Sequence, residues 1–183
     1  MIVCAGNQEV FEFAKSVGIG LIDSTIGLTQ VCLFDRPEYI LFIGSAGSYG
    51  EHKIFDIVES RSSANIELGF FNDDCYTPID NVSKSDNKFV KDTTIVNSSN
   101  YITTNEELSK QFKEYAIGIE NMEFYALMQV AQKFQIPIGG VFVVTNHTNK
   151  NAHEDFLNNH KKAMEKLVDY LEKENIIKEQ IKK

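Results

Sequence analysis

Tyr39-Ile40-Leu41-Phe42-Ile43-Gly44-Ser45-Ala46-Gly47-Ser48-Tyr49-Gly50 is the stretch on which the fold turns. Its first five residues are apolar without alternation, which predicts a strand buried on both faces. The glycine-rich run behind them predicts a tight strand-end turn, because glycine accepts positive φ without steric cost. Outward from this stretch, apolar runs and helical patterns alternate. Upstream, residues 2–5 read as a short buried strand and residues 7–15 as a short helical pattern, while Leu21, Ile22, Thr25, Ile26, Thr29 and Leu33 share one helical face. Downstream, residues 55–60, 64–71 and 93–96 read as strands. Thr104 with Glu107 forms a capping box for a helix reaching Tyr115. Residues 117–119 read as a strand, followed by a helix with Met122, Ala126, Val130 and Phe134 on one stripe. Residues 138–145 predict another buried strand, and Asn151 with Glu154 opens a last helix with Phe156, Ala163, Leu167 and Leu171 inward. Alternation of this kind predicts an α/β fold around a mixed, largely parallel sheet.

Composition narrows the function classes. The chain has 183 residues, 43% of them hydrophobic and 24% charged, so it can bury a sizeable core within one domain spanning 1–183. Eighteen basic against 26 acidic residues give a net charge of −8, which argues against nucleic acid as a partner. No apolar stretch is long enough for a bilayer, and the first residues lack the basic and apolar regions of a secretory signal. The expectation is a cytoplasmic protein with no membrane partner. Three widely spaced cysteines, Cys4, Cys32 and Cys75, fit neither a disulfide framework nor a zinc site. His153 and His160 are seven apart, outside the usual ligand spacing, so no metal is expected, and both are read as exposed. Residues 72–92, rich in Asp, Asn, Ser and Lys, predict a flexible loop, and residues 173–183 a charged helix end.

Three segments carry the candidate chemistry. The run from Gly44 to Gly50 is neither a Walker loop nor a dinucleotide fingerprint, and reads equally as an anion cradle or a plain turn. Met122-Glu123 stands at a strand-to-helix junction, where α/β sheets present ligand-binding groups, or is an ordinary helix start favoured by the helix dipole. Thr145-Asn146-His147 follows a very apolar strand, where catalytic groups emerge, or is a turn capped by its own side chains.

The order of these segments resembles the superfamily of purine nucleoside phosphorylases and of methylthioadenosine/S-adenosylhomocysteine nucleosidases, with this chain similar to a short, divergent bacterial member. Val17-Gly18-Ile19-Gly20 is similar to that family's Gly-Ile-Gly turn. Phe42-Ile43-Gly44-Ser45-Ala46-Gly47 with Phe55-Asp56-Ile57-Val58 resembles its Gly-Ser-Ala-Gly and Gly-Asp-Ile-Val segments. Ile119-Glu120-Asn121-Met122-Glu123, with Ile136-Pro137 after the helix, looks like its Val-Glu-Met-Glu helix and Val-Pro strand start, and Thr145-Asn146 falls where it has Ser-Asp or Thr-Asn.

The resemblance implies a three-layer nucleoside phosphorylase-like fold, its mixed sheet curling into a partial barrel with flanking helices. It also implies a homo-oligomer, either a dimer or a trimer of dimers. The implied activity is phosphorolysis of the C–N glycosidic bond of a purine nucleoside, giving free base and ribose 1-phosphate, with phosphate as co-substrate and no cofactor. By the likeness, Glu123 and Met122 hold the ribose, Tyr101 and Ile102 line the base, Asn146 binds the base, and Glu9 reaches the sugar or the nucleophile. Ser45, Gly44 and Gly6 are implied at the phosphate. A neutral Asn146 can donate to N7 and meet a 6-oxo group, implying preference for 6-oxopurines.

Two departures keep alternatives open. The hairpin usual between the first strand and the Gly-Ile-Gly turn is missing. Phe42 stands where many bacterial phosphorylases have a phosphate-binding arginine, and the turn at Gly6 lacks one too. Only Arg36 and Arg61 are left in the chain, with Ser48, His52 or a lysine as weaker aids. The alternatives are a nucleosidase using water, and a catalytically reduced nucleoside binder.

Overall fold

The computed structural model describes residues 1–177; residues 178–183, which take in most of the expected charged helix end, lie outside the described residues. In chain order the elements are β1 (Ile2–Cys4), β2 (Lys15–Ser16), α1 (Gly20–Phe34), β3 (Ile40–Ser48), β4 (Ile57–Ser60), β5 (Ser62–Ala64), β6 (Val82–Lys84) and β7 (Ile95–Ser98). Then follow α2 (Glu106–Glu114), β8 (Ile117–Asn121), α3 (Phe124–Lys133), β9 (Ile138–His147) and α4 (Ala152–Lys173).

The sheet is mixed and open, not closed into a barrel, and β3 is its spine. One edge of β3 pairs in parallel with β9 from Ile40↔Ile138 to Ser48↔His147. The other edge is shared: β1 takes its start in parallel, through Ile2↔Leu41, and β8 takes its end antiparallel, through Gly47↔Glu120. The strands β8, β7, β5 and β6 continue outward, and β4 flanks β9. Period-two alternation then feeds two cores. Val3, Phe42 and Phe142 point to the face covered by α1 and α3, where Leu28, Val31, Phe124 and Leu127 meet them. Ile2, Leu41, Ile43, Val141 and Val143 point to the opposite face, covered by Ala163, Leu167 and Leu171 of α4. Both faces are buried, which is why these strands read as unbroken apolar runs.

Several local expectations are corrected. The glycine-rich run is no turn: β3 extends through it to Ser48. Its glycines serve close approach, since a Cβ on Gly44 would stand 2.7 Å from Glu9 Oε2 and one on Gly47 would stand 3.0 Å from Asn146 Nδ2. Residues 7–15 form no helix. Gly6 at φ 102° and Asn7 at φ 55° turn the chain so that β2 returns beside β1. The face of α1 shared by Ile22, Thr25, Ile26 and Leu33 points largely to solvent, with Ile22 69% and Ile26 54% exposed. Gly20, Ser24, Leu28, Val31 and Cys32 are buried instead, and the segment at Val17 comes so close that a Cβ on Gly27 would collide with Val17 O at 1.9 Å. The strand expected over 64–71 stops at Ala64, and a 3-10 turn covers Leu68–Asn72. The cap of α2 is Asn105, whose side chain accepts from Glu107 N and Leu108 N, not Thr104. Within residues 72–92, β6 is an ordered strand.

Candidate active site

The strand ends converge on one cavity of about 310 Å³, within the range of small-ligand sites. Its floor is the end of β3, Ser45 to Gly47, and the end of β9, Thr145 and Asn146. The turn from Gly6 to Glu9 closes one side. The β8–α3 junction from Glu120 to Glu123 closes the other, with Tyr101 and Ile102 beyond it and His153 and Phe156 of α4 at the rim. This is the crevice outside the strand ends where open α/β sheets place ligands.

Glu9 is held first by its own turn, in which its N–H donates to Gly6 O at 3.0 Å. Its Oε1 accepts from Ser45 N at 3.1 Å and from Ser45 Oγ. The side chain is only 11% exposed, so a carboxylate is fixed against the central strand.

Glu123 is anchored across more than half the chain: Gly20 N, in the first turn of α1, donates to Oε1 at 2.9 Å. The free N–H groups of a helix start favour a carboxylate there. Asn121 Oδ1 accepts from Glu123 N and Phe124 N at 2.8 and 3.0 Å, while its Nδ2 donates to Ser45 O at 3.1 Å, clamping the α3 start onto β3. Burial is the main cause pushing the Glu123 carboxyl up to about 7; the Glu9 charge adds to it and the Gly20 N–H opposes it.

Asn146 is buried, with Oδ1 accepting from Thr145 Oγ1 at 2.8 Å and Nδ2 donating to His147 O at 3.3 Å. Asn159 of α4 pins this strand end by donating to Thr145 O at 2.9 Å. One N–H of the amide and one lone pair of its oxygen are left to meet a ligand in the cavity. Tyr101 and Ile102 line the same end and are 77% and 51% exposed.

Of the residues expected from sequence, Gly6, Glu9, Ser45, Tyr101, Ile102, Met122, Glu123 and Asn146 all line this cavity. Gly44 does not; it backs the Glu9 carboxylate. The two arginines are elsewhere. Arg61 donates to Asn87 O at 3.1 Å and lies 3.8 Å from Asp92, and Arg36 follows the end of α1. Among the described residues, no lysine or arginine lines the cavity, nor does His52.

Three groups escaped the sequence reading. Glu120 is a half-buried carboxyl, its oxygens accepting from Thr103 N at 3.0 Å and Tyr49 Oη at 2.8 Å. Burial raises it above the usual carboxylate range, against the pull of those donors. Asn121 gave no signal except its place before Met122-Glu123. His160, expected to be exposed, has its side chain only 13% exposed and reaches toward Glu9; its four-residue spacing from Phe156 on an inward helix face was the available clue.

The model of the phosphorylase superfamily matches residues 79–173, just over half of the chain. The chain belongs to that superfamily. A search of curated proteins gives no match. Among solved structures, futalosine hydrolase of Helicobacter pylori superposes with a TM-score of 0.80 at 16% identity, over 94% of this chain and 96% of that one. The methylthioadenosine/S-adenosylhomocysteine nucleosidase of Helicobacter pylori gives 0.80 at 15% identity, over 94% and 95%. The S-adenosylhomocysteine nucleosidase of Streptococcus pyogenes gives 0.74 at 16% identity, over 93% and 92%. These likenesses establish that the fold is that of the nucleoside phosphorylases and nucleosidases.

Proposed function

We propose that the protein is a nucleosidase that hydrolyses the N-glycosidic bond of a purine nucleoside, with water as nucleophile. The observation that carries this reading is the Glu9 carboxylate fixed on Ser45 in a cavity lined by Glu120 and Glu123 and, among the described residues, by no lysine or arginine. A phosphate dianion entering that field would meet carboxylates and, among the described residues, no lysine or arginine, whereas water needs only an acceptor for its proton. The phosphorolysis expected from sequence therefore gives way to its hydrolytic alternative, and the superposable proteins named above are hydrolases as well.

In this reading Glu9 takes a proton from the attacking water. Glu123 accepts hydrogen bonds from ribose hydroxyls, Met122 packs on the sugar, and Tyr101 and Ile102 flank the base. Asn146 Nδ2 donates to the acceptor edge of the base. With one Nδ2 N–H left beyond its bond to His147 O, the neutral amide can donate to N7 beside a 6-oxo group, and the substrate proposed is a 6-oxopurine nucleoside. The homo-oligomer implied by the resemblance is likewise a proposal, supported by the outward apolar residues Ile22, Ile26 and Phe34 of α1.

The test is incubation of the purified protein with inosine, adenosine or methylthioadenosine, with and without phosphate. Equal base release in both conditions, with free sugar as co-product, is expected. Release that requires phosphate and yields ribose 1-phosphate would overturn hydrolysis, and silence with all three nucleosides would leave a binder.

A further inference from the structure

His160 sits one turn after Phe156 on α4, with the two rings 4.9 Å apart. Its Nε2 is shut off from solvent and has no hydrogen-bond partner. That nitrogen lies 3.8 Å from Glu9 Oε1, an ion-pair distance. A buried ring nitrogen without a partner is unfavourable unless the state that matters supplies one.

The surroundings of Glu9 say which state that is. From β3 it meets the Ser45 hydroxyl and N–H, which are neutral. From the β8–α3 junction it faces the Glu123 carboxyl, and from β1 the Cys4 thiol, and its negative charge raises both. From α4 it faces His160. His153, also on α4, is exposed at the cavity rim. A carboxylate has to stay ionised here beside another carboxyl, and the imidazole is the group against it able to carry positive charge.

We propose that His160, protonated at Nε2, is the counter-charge that positions Glu9 and keeps it ionised for its work on water. The inference rests on the hydrolytic reading and adds a positioning residue to it. His160 touches neither sugar nor base; it acts through Glu9. An opposite charge at this distance favours the ionised form of a carboxyl, so removing it is expected to move the acid limb of activity to higher pH.

The experiment is the pH profile of kcat/KM for base release by the wild type and His160→Gln, which keeps a neutral N–H donor of similar reach. The expected result is about tenfold less activity than wild type at pH 5 and near-equal activity at pH 8. A loss of the same size at both values, or none at either, would overturn the counter-charge, because a merely structural role lowers both alike. Thermal melts establish that the variant is folded, and His160→Asn replaces it if it is not. A wild type that releases no base at any pH overturns this inference together with the hydrolytic reading, whereas superimposed profiles of two active proteins overturn the inference alone.

Discussion

At the end of the cavity assigned to sugar and water, two carboxylates are fixed by main-chain N–H groups, Glu9 by Ser45 and Glu123 by Gly20. At the end assigned to the base, Asn146 is oriented by the hydroxyl of its neighbour Thr145, and Tyr101 and Ile102 stand largely in solvent. Donors belonging to a strand and a helix start survive any side-chain change around them, so the first end keeps its geometry through divergence. The second is set by a few side chains and is the end a lineage can retune. The contrast predicts that substitutions at the sugar end abolish turnover, while those at the base end redirect it.

The largest effect is expected at Glu9. Glu9→Gln keeps the shape and loses the proton acceptor, so kcat for base release should fall roughly 10³-fold. A loss under tenfold would mean that water is activated by another group, and the sugar end would lose its special standing. Glu123→Gln comes next. It removes charge-assisted hydrogen bonds to the ribose, each worth about 1.5–3 kcal/mol, which corresponds to roughly 10- to 100-fold in kcat/KM.

The same substitution carries a pH signature. In the unfolded chain this carboxyl titrates at its ordinary 4.5 and in the folded protein near 7. Between those values the native state holds a proton that the unfolded chain has lost. Stability therefore falls as pH rises from 4.5 to 7, and above 7 the full penalty of roughly 3 kcal/mol applies. Gln pays none of it. The melting temperature of Glu123→Gln minus that of the wild type should grow by several degrees between pH 5 and pH 8; a constant difference would show that burial does not hold this carboxyl neutral. A gentler probe of the same end is Gly44→Ala, whose methyl would press on Glu9 Oε2 from 2.7 Å. Activity should drop about tenfold through displacement of the base, with kcat affected more than KM; an unchanged kcat would detach Gly44 from Glu9.

The two ends also differ in how legible they were. Glu9, Ser45, Met122 and Glu123 stood out because each sits at a strand end that the apolar runs had already located. The sheet itself was plain in β3 and β9, whose unbroken Val, Ile, Leu and Phe content demands burial on both faces. What sequence missed was set by tertiary contact. The run from Gly44 to Gly47 looked like a turn, since glycine made room for a carboxylate 35 residues away in the chain reads the same as glycine chosen for its φ. The face shared by Ile22, Thr25, Ile26 and Leu33 on α1 lies largely outside, because Gly20, Ser24, Leu28, Val31 and Cys32 turn inward and Gly27 admits Val17. His160 carried only a weak local signal, its four-residue spacing from Phe156; the packing of α4 beside the turn of Glu9 is what buries it.

The smallest expected effect is the one that tests retuning. Asn146→Asp replaces a donor by an acceptor that can also carry a proton, at a site where Thr145 Oγ1 already donates to the side-chain oxygen. The exchange is nearly isosteric and leaves the sugar contacts unchanged, but it removes the Nδ2 bond to His147 O, so a modest drop in melting temperature is expected beside the change in specificity. What changes is the edge offered to the base. The amide favours N7 beside an acceptor at position 6, whereas a protonated carboxyl can deliver its proton to N7 and its other oxygen can accept from a 6-amino group. The ratio of inosine to adenosine cleavage, measured as kcat/KM for each, should therefore shift toward adenosine by about tenfold, the value of one buried hydrogen bond gained and one lost. A ratio that does not move would place the base elsewhere in the cavity, and would make the end lined by Tyr101 and Ile102 as fixed as the end that holds Glu9.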